Sequence, residues 1–169
     1  MKKIVLIVSI TVSGLMYSQV AFGKTTLESA SSSIEFGTAN RGMVLPWVTD
    51  VASVQNAVNG TMVYDLSDKK VKAYKNSAWV DLSIDATGVA DSSMQDALND
   101  NPVAKVAVGT PTTTSGILVL EDSNRAMILP KVASPHLNII SPAAGMMVYD
   151  TVKKQLAVYN GSVWTFWGE

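Results

Sequence analysis

The sequence predicts a mainly β protein: two copies of a small antiparallel β-meander module joined by a segment with a short helix. Three observations predict it. The block NRGMVLPWV at 40–48 returns as NRAMILPKV at 124–132, with six of nine positions identical. A second block, GTMVYD from Gly60, returns as GMMVYD from Gly145. Around these blocks, short apolar runs alternate with polar turns, the pattern of short strands. The offset is 84 residues for the first block and 85 for the second, so copy two carries one inserted residue. The same spacing carries Tyr74 onto Tyr159, Ser77 onto Ser162 and Trp79 onto Trp164. Ordered blocks at constant spacing mark a repeat architecture.

The chain begins with Met1-Lys2-Lys3, followed by an uncharged stretch over 4–16. Small residues at Ala21 and Gly23 then precede Lys24. This is the layout of a secretory signal peptide over 1–23, with cleavage expected after Gly23 or a few residues earlier. The stretch 4–22 approaches the length of a membrane span, but Ser9, Thr11, Ser13, Gly14, Ser18 and Gln19 make it weakly apolar. No membrane span is expected after cleavage. The protein is then exported, to the cell surface, the periplasm or the extracellular space.

Module one is expected over 24–83. Ile34-Glu35-Phe36 opens it as a strand, and Met43-Val44-Leu45 follows, stopped by Pro46, which lacks an amide donor and suits a strand end or edge. The stretch 51–58 sets Val51, Val54 and Val58 on one side of a short helical turn. Gly60 releases the chain into three strands near 61–65, 71–75 and 78–82. A linker over 84–113 comes next. Asp91-Ser92-Ser93 reads as the cap of a short helix reaching Leu98, and a strand is expected over 103–108. Module two spans 114–169. Its strands fall near 117–120, 127–129, 146–150, 156–159 and 163–167, with a helical turn within 135–141. Asn160-Gly161 reads as a two-residue hairpin turn, since both residues tolerate positive φ. Asn76-Ser77 is a weaker version, so a looser hairpin is expected in copy one. Modules this small are marginal alone, and the two copies are expected to bury their apolar faces against each other or against another subunit.

The blocks NR-x-M-[VI]-L-P-x-V, G-x-M-V-Y-D and Y-x-x-S-x-W resemble a repeat of exported surface proteins of Bacteroidetes, particularly flavobacteria. They are also similar to segments of phage tail-fibre proteins. The resemblance covers 34–82 and 117–167. It implies a structural or surface role and carries no catalytic residues. Trp47 departs from it, because Lys131 holds the matching position in copy two and the resemblance implies a basic residue there.

Hydrophobic residues make up 47% of the 169 residues and charged ones 16%, enough for a packed core. There is no cysteine, one histidine and a formal net charge of -1. These counts exclude disulfide scaffolds, cysteine-bound zinc, thiol nucleophiles and histidine-pair metal sites. They also argue against nucleic acid as a partner. His136 reads as an exposed loop histidine with no acid to place it as a base. Asp65 and Asp150, at equivalent strand ends, read as acceptors of turn amides. Asp96, Asn99, Asp100 and Asn101 match a calcium loop poorly. No catalytic, cofactor-binding or metal residue is expected, and no cofactor.

Trp79 and Trp164 recur at the last strand and read as core anchors, with Tyr74 and Tyr159 nearby. Trp47 and Trp167 are unmatched between copies and are candidates for partner or glycan contact. Arg41 and Arg125 recur before a strand. Each reads either as a partner contact or as a turn residue paired to a neighbouring carboxylate. The expected function is a non-enzymatic structural or adhesive cell-surface protein that self-associates or docks on another envelope protein. The alternative is a secreted glycan-binding module using exposed aromatics.

Overall fold

A computed structural model describes residues 19–93, 96–99, 101, 103–110 and 113–168. Residues 1–18 of the leader expected over 1–23, residues 94 and 95 of the expected linker helix, and Asp100 lie outside them. The N-terminal part contributes β1 (Val20–Phe22), β2 (Ser32–Phe36), β3 (Met43–Val44) and β4 (Trp47–Val48). A 3-10 turn follows at Val51–Ser53, then β5 (Met62–Asp65), β6 (Lys70–Lys75) and β7 (Ala78–Asp81). The linker yields β8 (Val106–Gly109). Copy two adds β9 (Leu118–Glu121), β10 (Ala126–Met127) and β11 (Lys131–Val132), then the short helix α1 (Pro135–Asn138). It ends with β12 (Met146–Asp150), β13 (Gln155–Tyr159) and β14 (Trp164–Trp167).

The two meanders form as expected, β5-β6-β7 and β12-β13-β14, each antiparallel. Each also carries a fourth strand that the sequence reading placed in no sheet. β4 runs parallel to β5, pairing Trp47 with Tyr64 and Val48 with Asp65. β11 runs parallel to β12 in the identical register, Lys131 with Tyr149 and Val132 with Asp150. A parallel neighbour needs a crossover between its two strands. The stretches read as helical turns supply it. Asp50 caps the first, its carboxylate accepting the Ala52 and Ser53 amides at 2.6 and 3.1 Å. Pro135 starts the second at a helix N-terminus, where its missing amide costs nothing.

The hairpin turns differ from expectation. The two-residue turn of copy two is Gly161-Ser162, since the Asn160 amide donates to the Val163 carbonyl at 3.2 Å. Asn160 is fully buried and serves a different purpose, described below. Copy one uses Asn76-Ser77, with φ of 51° and 63°, and closes it with the ladder pair Lys75 and Ala78. It is therefore not the looser hairpin. The repeat offset of 85 sets Asn76 on Gly161, so the Asn-Gly pair was read one residue out of frame.

The helix expected to reach Leu98 falls partly on residues 94 and 95, outside the described ones. Among the described residues there, Ser93, Asp96 and Ala97 lie in turns, and the Asp96 amide donates to the Ser92 carbonyl at 3.0 Å. The Asp91 carboxylate accepts the Ser93 amide at 3.0 Å, the bond a capping side chain makes. Among the described residues, no helix is long and apolar enough to cross a membrane.

The main core lies between the copies. Leu45, Tyr64 and Val71 of copy one meet Ala144, Met147 and Val158 of copy two. A second cluster joins Val132, Ile139, Val148 and Ala157 within copy two. Copy one has Lys72 where copy two has Ala157. Lys72 reaches Asp65 at 3.3 Å and Asp68 at 2.6 Å, so ion pairs stand where copy two packs a methyl.

Candidate functional site

The feature that unites the molecule is the seam between copies. It starts at Pro46, which ends β3 and turns the chain before β4. β3 leaves its own module and joins the copy-two sheet, pairing antiparallel with β12, Met43 opposite Met147 and Val44 opposite Met146. The Leu45 amide extends this ladder to the Gly145 carbonyl at 3.0 Å. Just beyond Pro46, Trp47 is half-buried and donates its indole N–H to the Ala144 carbonyl at 2.8 Å. Its ring lies 6.0 Å from Tyr64, tilted by 50°.

Tyr64 is 0% exposed and donates its hydroxyl to the Asn160 carbonyl at 2.6 Å. Burial pushes the phenol up to about 12, helped by the charges of Asp68 and Asp65. The Asn160 side chain holds the linker. Its Nδ2 donates to the Asp85 carbonyl at 2.8 Å and carboxylate at 3.0 Å. Its Oδ1 accepts the Ser162 and Val163 amides at 2.9 and 2.8 Å. Backbones approach so closely that side chains are excluded. A Cβ on Gly88 would stand 2.0 Å from the Asn160 carbonyl oxygen, and one on Gly145 2.8 Å from the Tyr64 Cβ. Gly145 also has φ of 76°, which side chains rarely adopt.

A second polar cluster anchors the segment before module one. Glu35 is buried within β2 and accepts the Glu28 amide at 2.8 Å, the Ser29 amide at 2.9 Å and the Lys24 ammonium at 2.7 Å. The Glu28 amide, the Lys24 ammonium and the Ser29 amide outweigh desolvation and hold Glu35 down at about 2. Glu28 in turn meets Lys131 of copy two at 3.2 Å. Glu35 has no counterpart in copy two, so the repeat gave no signal for it.

Trp47, expected as a free contact residue, has its ring against Tyr64 and its N–H committed across the seam. Trp167 is 42% exposed, and its indole N–H donates to the Leu82 carbonyl. Arg125 pairs with Asp122 at 3.5 Å, while Arg41 is exposed. Trp79 and Trp164 are half-buried, each in a cross-strand pair with its tyrosine at 5.2 Å between ring centroids. Among the described residues the fully buried aromatic is Tyr64, which corrects the reading of the tryptophans as core anchors. A cross-strand pair covers one ring face only, whereas Tyr64 is enclosed by both copies.

Asp65 accepts the Ser67 amide at 2.9 Å, and Asp150 accepts the Val152 and Lys153 amides at 2.8 and 3.2 Å. Both are turn acceptors, as expected. His136 is exposed on α1, edge-on to Phe166 at 5.7 Å. Among the described residues, no group of three His, Cys, Asp or Glu side chains is placed to hold a metal.

Fold and seam define a class: a duplicated β repeat in which one copy completes the sheet of the other by strand donation. The chain belongs to the family of phage tail like trimerisation regions, matched over residues 21–95 and 106–168. Each matched stretch contains one copy of the module, and membership implies self-association. No curated protein and no solved structure matches the chain.

Proposed function

We propose that this protein is a non-enzymatic structural subunit that assembles as a trimer through its repeated β modules, in a fibre or surface structure outside the cell. The observation that carries the reading is the donated strand: β3 completes a sheet that is not its own. A module that depends on a neighbour's strand is built for assembly, and exposed sheet edges pair with whatever complements them. Light scattering on the purified chain across a concentration series tests this. A mass of three chains supports it, and a monomer at every concentration sinks it.

Export rests on the charged start, the uncharged stretch and the small residues before Lys24. Mass spectrometry of native protein is expected to find an N-terminus near Lys24, while recovery of the intact chain from Met1 would refute export by this route. Cleavage after Gly23 would remove β1 and free one edge of β2. The Lys24 and Glu35 pair would remain as the new terminus's anchor. Docking on another envelope protein and glycan binding are narrower readings. The exposed ring of Trp167 supports the latter, and a glycan array on the purified chain would test it.

A further inference from the structure

The seam is used once within the chain, and each copy keeps the complementary half of it unused. Copy one donates β3 and Tyr64 to copy two, yet it receives no strand in return. Among the described residues, nothing pairs with β5 at Met62 on the side where β12 receives β3. Backbone alternation fixes the direction. The Tyr64 amide donates toward β4, to the Pro46 carbonyl at 2.8 Å, so the amide and carbonyl of Met62 point to that same side.

Copy two holds the matching donor. Ala126-Met127-Ile128-Leu129 is the counterpart of Gly42-Met43-Val44-Leu45. It lies beside β2, but the amides directed there are those of Ala126 and Ile128, donating to the Ser31 and Ile34 carbonyls at 2.9 Å each. Those of Met127 and Leu129 therefore face away, as the counterparts of the two that pair with β12. Tyr149, the counterpart of the fully buried Tyr64, stands 36% exposed. Met62 and Met127 line one open cleft of about 2130 Å³.

We propose that a second copy of this chain docks head to tail in this cleft. Its 126–129 segment pairs antiparallel with the Met62 edge of β5, and its Tyr149 packs toward the Lys75 end of the β6–β7 hairpin. The intrachain seam is thereby repeated between copy two of one chain and copy one of the next. The occupant is chosen by the near identity of the two donor segments and by the register already seen at β12. The contact is heterologous, so it closes only as a ring. This rests on the trimer reading and names the surface that makes it.

Registers carried over from β12 place Thr61 opposite Ile128, the counterpart of Met146 opposite Val44. Such non-hydrogen-bonded pairs bring Cα atoms within disulfide reach. The chain has no cysteine, so introduced ones report without background. Full-length Thr61→Cys and Ile128→Cys proteins, mixed in equal amounts and oxidised, are expected to convert up to half of the chains to a disulfide-linked dimer. Neither alone should do so. Met62→Pro removes the outward amide together with a side chain that packs on the shared core, and it is expected to abolish the trimer while the circular dichroism spectrum is retained; Met62→Ala, which loses the same packing and keeps the amide, is expected to keep the trimer. A trimer by light scattering without the 61–128 link would overturn this contact and leave the trimer reading standing. A link from Thr61→Cys to Val44→Cys in place of Ile128→Cys would also overturn it. A monomer throughout would overturn both.

Discussion

Tyr64 is the residue on which the two copies close. Tyr64→Phe removes the hydroxyl bonded to Asn160 and is expected to cost about 1 kcal/mol in denaturant unfolding. Tyr64→Ala, which empties the seam, is expected to cost roughly 3–5 kcal/mol. Trp164→Ala should cost less than that, because its ring is only half-buried. The folded state keeps the Tyr64 proton above the phenol's ordinary value of 10.0, so stability present below pH 10 falls as pH rises toward 12. Glu35 acts at the other end. Its carboxylate is held at about 2 against an ordinary value of 4.5. Its stabilisation is complete above pH 4.5 and lost as pH falls toward 2. Thermal melting from pH 6 down to 2 in wild type and Glu35→Gln checks this, with the acid slope shallower in the variant.

At the scale of elements, β3 and β10 share a sequence and differ in fate. β3 lies on β12 and β10 lies on β2. The strand itself does not choose its partner, since Met43-Val44-Leu45 and Met127-Ile128-Leu129 are interchangeable in shape and polarity. The available edge chooses. Gly145 makes the β12 edge approachable, because a side chain there would meet Tyr64. Gly145→Ala combines that clash with a positive φ and is expected to destabilise the protein by roughly 1–3 kcal/mol. Chemical denaturation will show it. Gly60→Ala is the informative comparison: its φ of 95° is also positive, but nothing lies within 4 Å of the added Cβ. In the single chain it should therefore cost less.

For the whole molecule, the main core is shared between the copies. Modules of this size bury too little surface alone, so the copies should unfold together. A single cooperative transition by circular dichroism, coincident with tryptophan fluorescence, is expected. Two separated transitions would mean that the seam contributes little to stability.

Much of this was legible in the sequence. The repeat gave the two meanders within a residue or two, because alternating apolar residues between turn residues have few other uses. It gave the turn role of Asp65 and Asp150, because a carboxylate after a strand finds the next free amides. It also gave the packing of copy against copy as one of two alternatives, the other being another subunit, because each copy alone is too small. The parallel strands β4 and β11 were not legible: two residues carry no period. The seam was not legible either. Trp47 looked free because it had no counterpart in copy two, and its commitment to Ala144 lies 97 residues away in the chain. Asn160 looked like a turn because Asn-Gly favours one locally, and burial against Asp85 gave it another use. Local chemistry fixed what each copy is, since it depends on neighbours in the chain. Tertiary structure decided which strand completes which sheet, since two near-identical strands differ only in the edge that folding brings to them.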